Sequence, residues 1–252
     1  RNVLGGPLQE CGVEPLTGNA PAFDADFFLV ISEEHSRLFN NGGAGRLPLV
    51  EPAPCFFDAD GAGSTEAFLR GWREVRTARP GHPIIVASAD HDFSRLACGG
   101  RHAEQLGAAL TFLLTWGSIP SIYYGDEIGM EYQPGLPAVE GSICHPGYYN
   151  RAGARTPMQW DDGPNAGFSS ASAESLHLPI DPSPDRVTVA AQRVDPDSTV
   201  NLVRRLIRLR REFPCLRRNA FFTGDPVDGD GLPDICWLRP DGKAKETVDW
   251  EG

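Results

Sequence analysis

The sequence predicts an α/β fold built on a parallel sheet, and three observations support this prediction. Short β-branched apolar runs alternate with longer segments of helical periodicity. The apolar run 84–88 is followed at once by Asp90 and Asp92, and the run 119–124 is followed by Asp126. Parallel strands end at one edge of a sheet, so acids placed after successive strands are expected to lie at that edge.

The first half of the chain contains one strand and one helix. Residues 1–22 are rich in Gly and Pro and are predicted to be irregular. The contiguous apolar residues within 23–31 predict a buried strand. A helix is predicted to begin near Ser64, a favoured N-cap residue, and to carry apolar residues at helical spacing through Val75.

The alternation continues in the second half. Residues 83–88 predict a strand, 103–116 a strongly apolar helix and 119–124 the next strand. Residues 129–197 are too long for a plain connection and are predicted to form a loop-rich insertion. Residues 198–212 form an amphipathic helical pattern that stops at a proline.

Charge and cysteine usage limit the function classes. The net charge of −11 over 252 residues argues against nucleic-acid partners and anionic membrane surfaces. The six cysteines are widely spaced and contain no C-x-x-C, which predicts free thiols in a reducing, cytoplasmic setting. The apolar run 106–124 is broken by Gly117 and Pro120, so a buried helix followed by a strand is favoured over a membrane span.

No cofactor or metal site is predicted. The acids among the glycines of 225–230 lack the spacing and the closing Glu of a calcium loop. Residues 42–45 lack the Lys-Ser/Thr that completes a phosphate-binding P-loop. The run 33–35 contains two Glu and a His but no partner at helical ligand spacing, which favours a solvated loop.

The strongest site candidate is the cluster after the second predicted strand. Asp90 and Asp92 flank His91, and Arg95 follows three residues later. A carboxylate at this edge can stabilise developing positive charge, and an imidazole can donate a hydrogen bond to a substrate hydroxyl. The alternative is a turn in which the Asp side chains cap the next segment.

Two further motifs are weaker candidates. Gly125-Asp126-Glu127 follows the next strand, where the acids either join the same site or stabilise a helix start. The segment 151–160 provides two arginines and a Trp in a long loop, which suits a sugar or anion site. Its alternative is a loop held in place by a buried Trp160.

These motifs, in this order, resemble the alpha-amylase superfamily of retaining glycoside hydrolases and transglycosylases, glycoside hydrolase family 13. Residues 90–92 resemble the segment after barrel strand seven, and 122–130 the strand-eight signature. Residues 155–160, followed by 167–169, are similar to the strand-eight loop of exo-acting α-glucosidases, oligo-1,6-glucosidases and trehalose synthases. Residues 221–224, 234–242 and 249–250 are similar to the glycogen-debranching branch of that superfamily.

The resemblance implies roles for particular residues. Asp92 matches the catalytic carboxylate that favours the oxocarbenium-like transition state, and His91 matches the histidine that binds the sugar in the first subsite. Arg95 and Arg155 match positions that line the pocket. Asp90 stands where that family usually has Asn, and it is included among the expected substrate-binding residues.

The resemblance also implies an organisation. Residues 1–22 form an irregular segment, 23–212 about the last three β/α units of a (β/α)8 TIM-type barrel, and 213–252 the start of a β-rich C-terminal domain. The expected substrate is an α-glucan or a small α-glucoside, with no cofactor. We expect self-association through the open barrel edge.

The nucleophile aspartate and general-acid glutamate of that family are not found. No G-x-R-x-D segment is present, and Glu10 and Glu14 are poor matches to the acid. The chain is therefore expected to be a truncated form of an α-glucoside-active hydrolase or transglycosylase. The alternative left open is a non-catalytic carbohydrate-binding or regulatory protein of the same family. Linkage, acceptor and the balance of hydrolysis and transfer are not predicted.

Overall fold

The computed structural model describes residues 26–28, 38–39, 55–58, 63–78, 83–92, 94–98, 101–139, 141–143, 150–213 and 216. The irregular segment predicted for 1–22 lies outside the described residues. The β-rich domain predicted for 213–252 also lies outside the described residues, apart from positions 213 and 216. Four of the six cysteines also fall outside them, while Cys55 and Cys98 are buried and form no disulfide bond, as predicted.

The described part contains three strands and four α-helices in strict α/β order. They are β1 (Asp26–Phe28), α1 (Glu66–Ala78), β2 (Ile84–Ala87), α2 (Gly107–Thr115), β3 (Ile119–Ser121), α3 (Val189–Val194) and α4 (Thr199–Glu212). Four short 3-10 turns lie in the described chain between α2 and α3. The predicted alternation of strands and helices is therefore confirmed.

The three strands form one parallel sheet in the order β1-β2-β3. Phe27 pairs with Ile85, which in turn pairs with Ile119, so β2 lies in the middle. Pro120 donates no ladder hydrogen bond, and it is tolerated because β3 is an edge strand of the described sheet. The predicted parallel pairing is confirmed.

Two elements are shorter than predicted, because side chains accept backbone N–H groups at their ends. Strand β3 ends at Ser121 because Tyr123 donates its backbone N–H to the side-chain oxygen of Ser88 (3.0 Å) instead of continuing the ladder. The helix predicted for 103–116 divides into a 3-10 turn, Ala103–Gln105, and α2. The turn is closed by Gln105, whose side-chain oxygen accepts the N–H of His102 (2.8 Å).

Helices α1 and α4 begin where hydroxyl side chains accept free backbone N–H groups. Ser64 Oγ accepts the N–H of Glu66 at the start of α1 (3.1 Å), and Ser198 Oγ accepts that of Asn201 in α4 (3.4 Å). At the other end of α2, the Arg210 guanidinium donates to the carbonyls of Leu114 (2.9 Å) and Trp116 (3.1 Å). The side chains thereby satisfy backbone groups that a helix leaves unpaired at its ends.

The core lies between the sheet, α1, α2 and α4. Helix α2 is apolar almost throughout, and its buried residues contact both neighbouring layers. Six aromatic rings meet with centroid separations from 4.6 to 6.0 Å, namely Phe39, Phe57, Phe68, Trp72, Phe112 and Trp116. Within the described ranges, no helix combines the length and apolar character needed to cross a membrane.

Leu110 is fully buried in α2, so its truncation is expected to destabilise the fold. We expect Leu110→Ala to lower the free energy of unfolding by about 2–5 kcal/mol, because the substitution removes buried methyl groups and leaves a cavity. Leu209→Ala is the matched control, because Leu209 is 40% exposed. Urea denaturation monitored by circular dichroism measures both values, and equal losses for the two variants would contradict the assignment of α2 to the core.

Candidate active site

The residues after β2 form a tight turn that exposes His91 and Asp92. Ser88 and Ala89 are buried, so the chain emerges from the core only at Asp90. Asp90 Oδ1 accepts the backbone N–H of Asp92 (2.7 Å), which is an Asx turn. The side chain of His91 is 65% exposed and that of Asp92 is 37% exposed. The turn explanation therefore applies to Asp90, and the turn orients the two residues that follow it.

One oxygen of Asp92 receives all of its described contacts. Arg151 Nη1 and Arg155 Nη2 both donate to Asp92 Oδ1, the latter at 3.1 Å. His91 Nε2 lies 3.4 Å from the same oxygen. Among the described residues, none donates to Asp92 Oδ2. The carboxylate is thus held by two guanidiniums on one side and keeps an acceptor oxygen on the other.

Both arginines are fixed by backbone carbonyls as well as by Asp92. Arg155 donates from Nε to the carbonyl of His91 (2.9 Å) and from Nη1 to that of Gly141 (3.0 Å). Arg151 donates to the carbonyls of Gly141 (2.5 Å) and Ser142 (3.3 Å). These bonds join the turn after β2 to two separate parts of the long insertion. A guanidinium can do this because it carries five N–H donors in one plane.

Arg151 is the site residue that sequence reasoning missed. It lies in the segment 151–160, from which only Arg155 was predicted to line the pocket. The 3-10 turn Arg151–Ala154 begins at Asn150, whose side chain accepts the N–H of Ala152 (3.0 Å). The presence of two arginines within five residues of one short segment was the available signal.

Arg95 was expected to line the pocket, but it lies buried beneath the turn that carries Asp92. Its side chain is fully buried, with the guanidinium carbon 5.1 Å from the ring centre of Tyr123 and 4.7 Å from that of Tyr124. Nη1 donates to the carbonyl of Tyr124 (2.5 Å), and the described structure contains no hydrogen bond from Arg95 to Asp92. The cation is held on aromatic faces because the residues after β3 cover it.

Asp126 and Glu127 reach the same sheet edge without joining Asp92. Asp126 is completely buried and accepts hydrogen bonds from Ser88 Oγ (2.6 Å) and from the N–H of Leu96 (3.3 Å). Glu127 accepts the N–H of Gly125 (2.7 Å), a position with φ of +89° where a Cβ atom would lie 2.6 Å from the sulfur of Met130. Both acids therefore support the turn after β3.

Burial dominates the electrostatics of Asp126. It raises the pKa of this carboxyl from 3.8 to about 6, because a charged carboxylate loses its hydration there. The positive charge of Arg95 and the hydrogen bond from Ser88 act in the opposite direction but do not cancel the effect of burial. Asp126 is therefore a group whose charge is poorly tolerated in the folded chain.

The strand-eight-like loop is anchored by tyrosines, while Trp160 is 49% exposed. The hydroxyl of Tyr123 donates to the carbonyl of Ala154 (3.0 Å), and that of Tyr124 donates to the carbonyl of Thr156 (2.8 Å). The alternative of a loop held by a buried Trp is therefore wrong. Within the described ranges, no group of three His, Cys, Asp or Glu side chains is placed to hold a metal ion.

Comparison with known proteins gives one family and a consistent set of relatives. Residues 80–219 match the family described as alpha amylase, catalytic domain. Trehalose synthase/amylase TreS of Mycobacterium tuberculosis H37Rv is 36% identical over 122 residues, which cover 47% of this chain and 18% of that protein. An oligo-1,6-glucosidase of Parageobacillus thermoglucosidasius is 28% identical over 166 residues, covering 57% and 28%.

A solved structure supports the fold. The crystal structure of isomaltulose synthase from Erwinia rhapontici NX5 aligns with a TM-score of 0.52 at 24% identity, covering 67% of this chain and 34% of that one. This likeness, together with the small parallel sheet, supports a partial barrel. The chain thus spans between 18% and 34% of the length of the proteins compared here.

The buried carboxyl of Asp126 makes stability depend on pH. Its folded pKa of about 6 lies above the ordinary value of 3.8, so the folded chain binds the proton more tightly than the unfolded chain. Stability from this group is fully present below about pH 4 and is lost as pH rises through about 6. Asp126→Asn removes the titration while keeping an acceptor for Ser88.

We therefore expect the stability difference between Asp126→Asn and the unmodified chain to shift in favour of the variant by about 2 kcal/mol between pH 4 and pH 7. Urea unfolding at a series of pH values measures it. Asp185→Asn, at an exposed loop position, is the control. A difference that stays constant with pH would contradict the raised pKa.

Proposed function

This chain belongs to the alpha-amylase family by the match of residues 80–219 to its catalytic domain, and we propose that it binds α-glucosides at the edge formed by His91 and Asp92. The chemistry of the whole protein would be hydrolysis or transfer of an α-glucosyl unit. The resemblance of the surrounding motifs to exo-acting members favours a small substrate, such as a disaccharide or a short glucan, over a long polymer.

The observation that carries the proposal is the geometry of the Asp92 carboxylate. Its Oδ1 is occupied by Arg151 and Arg155, whereas Oδ2 accepts no hydrogen bond from the described residues. A half-exposed carboxylate oxygen held in one orientation is suited to accept a sugar hydroxyl, and its charge favours a positively charged transition state. The exposed imidazole of His91 offers a hydrogen-bond donor beside it.

The names of the relatives agree with this substrate class. One relative is named a trehalose synthase/amylase and the other an oligo-1,6-glucosidase, and both names refer to α-glucosides. The matched regions make up 18% and 28% of those two proteins. We therefore propose only part of their activities for this chain.

We further propose that these 252 residues contribute the transition-state carboxylate without the catalytic pair. Retaining glycosidases place a nucleophile and an acid roughly 5–5.5 Å apart. No G-x-R-x-D segment is present, and Glu10 and Glu14 lie outside the described residues. Asp92 would then act on a bond broken by groups that these residues do not include.

A second candidate is a protein that binds α-glucosides without cleaving them. The ion pairs of Asp92 favour this candidate, because a carboxylate compensated by two guanidiniums can hold a sugar hydroxyl without any chemistry. Arg151 and Arg155 also fix the site without any contribution from a nucleophile or an acid. The two candidates therefore share the sugar site and differ only in turnover.

Glucose release tests whether these 252 residues include a complete catalytic site. Purified 252-residue chain is incubated with maltose and maltotriose beside Asp92→Asn and the loop control Asp185→Asn. If the residues include a complete site, the unmodified chain and the control release glucose and Asp92→Asn does not. Our proposal expects no turnover by any of them, with folding verified by circular dichroism.

Sugar binding tests the site independently of turnover. We expect the chain to bind the glucose-like iminosugar 1-deoxynojirimycin, and Asp92→Asn to weaken it about tenfold or more, because a charge-assisted hydrogen bond is lost. Isothermal titration calorimetry measures the affinity. Equal affinities for Asp92→Asn and Asp185→Asn would show that Asp92 does not contact the sugar.

A further inference from the structure

A groove on the outer side of α4 is lined mainly by arginine. This groove has a volume of about 420 Å³ and lies between α3, the turn after it and α4. Its lining includes Arg193, Arg204, Arg205, Arg208, Asn201 and Pro196. None of these residues belongs to the Asp92 site. The opposite face of α4 carries Val203 and Leu206 into the core, so the groove faces away from the packed interior.

The arginines of this groove have no carboxylate partner at ion-pair distance among the described residues. The nearest acids along the chain are Asp195 and Asp197, and the Asp195 carboxylate accepts the N–H of Asp197 (2.9 Å). The cluster forms in a chain whose net charge is −11.

Like charges stand at helical spacing in this arrangement. Arg204 and Arg208 stand four residues apart, a spacing at which like charges on one helix face repel. Helix α4 includes a single acid, Glu212, in its last turn. An anion bound between the arginines would remove the repulsion that the helix tolerates.

The groove is also pre-organised. Asn201 Nδ2 donates to the carbonyls of Gln192 (3.0 Å), Arg193 (3.4 Å) and Asp195 (2.7 Å), and so holds the turn after α3 against α4. Arg205 Nη1 donates to the carbonyl of Pro196 (2.7 Å), and Arg204 Nη1 donates to Asn201 Oδ1 (3.1 Å). Each of these two guanidiniums uses one nitrogen for the protein and keeps the others for a ligand.

We propose that this arginine groove binds a small phosphate-bearing molecule, at a site separate from the sugar site. Arginine matches phosphate oxygens with two parallel N–H donors, and four such groups suit a ligand with more than one negative charge. The volume suits a ligand of the size of a sugar phosphate or a nucleoside diphosphate. The proposal does not depend on turnover at Asp92.

Inorganic pyrophosphate is the first probe, titrated into the full chain by calorimetry at low ionic strength. We expect saturable binding that weakens about tenfold or more in Arg204→Gln/Arg208→Gln. The matched control is Arg70→Gln/Arg73→Gln, which removes the same charge from exposed positions of α1 and should leave the affinity within about twofold. Arg193→Gln/Arg208→Gln replaces the first variant if that one fails to fold.

Titrations with glucose 6-phosphate and with ADP then distinguish two sources of the phosphate group. Binding of either ligand more tightly than pyrophosphate supports the proposal, if that binding is lost in the groove variant. Absence of saturable pyrophosphate binding would overturn it. So would an equal loss in the groove and control variants, which would indicate a general effect of charge. Binding of a glutamate-rich peptide without binding of pyrophosphate would also overturn it, because the groove would then be a protein-docking surface.

Discussion

The candidate site depends on the buried carboxylate of Asp126. This group accepts hydrogen bonds from Ser88 at the end of β2 and from Leu96 at the far end of the loop that carries Asp92. Ser88 in turn receives the N–H of Tyr123 after β3. One carboxyl thereby joins both strand ends and the loop between them. Burial opposes its charge, so the same contact that organises the edge of the sheet also carries an energetic cost.

Above this layer, the site is organised by charge compensation. Arg151 and Arg155 connect the turn after β2 to the insertion at Gly141, and both contact the same oxygen of Asp92. Two cations on one carboxylate oxygen hold the side chain in a single orientation. The chain thus separates two tasks between its acids. Asp126 holds the backbone from within the core, and Asp92 presents an oxygen to solvent.

Much of the fold followed from local patterns. The apolar runs that became β2 and β3, the amphipathic pattern that became α4 and the cap at Ser64 are each visible within about a dozen residues of sequence. The exact ends of the strands were less predictable. Strand β3 stops early because the hydroxyl of Ser88, distant in the chain, takes the place of a backbone partner. Such an end is decided by a side chain on a neighbouring strand.

The sequence by itself determined the strand-and-helix alternation, the parallel sheet, the family and the cluster at 90–92. Only the tertiary structure decided which charged residue faces outward. Asp92 and Asp126 both follow strands and look alike in sequence, yet one is half-exposed and the other is buried. Likewise, Arg95 was expected at the pocket, but it is buried in the structure, and Arg151 contacts Asp92 instead. The contacts that decide these positions join residues 38 and 59 positions apart, and local sequence patterns do not report such pairings.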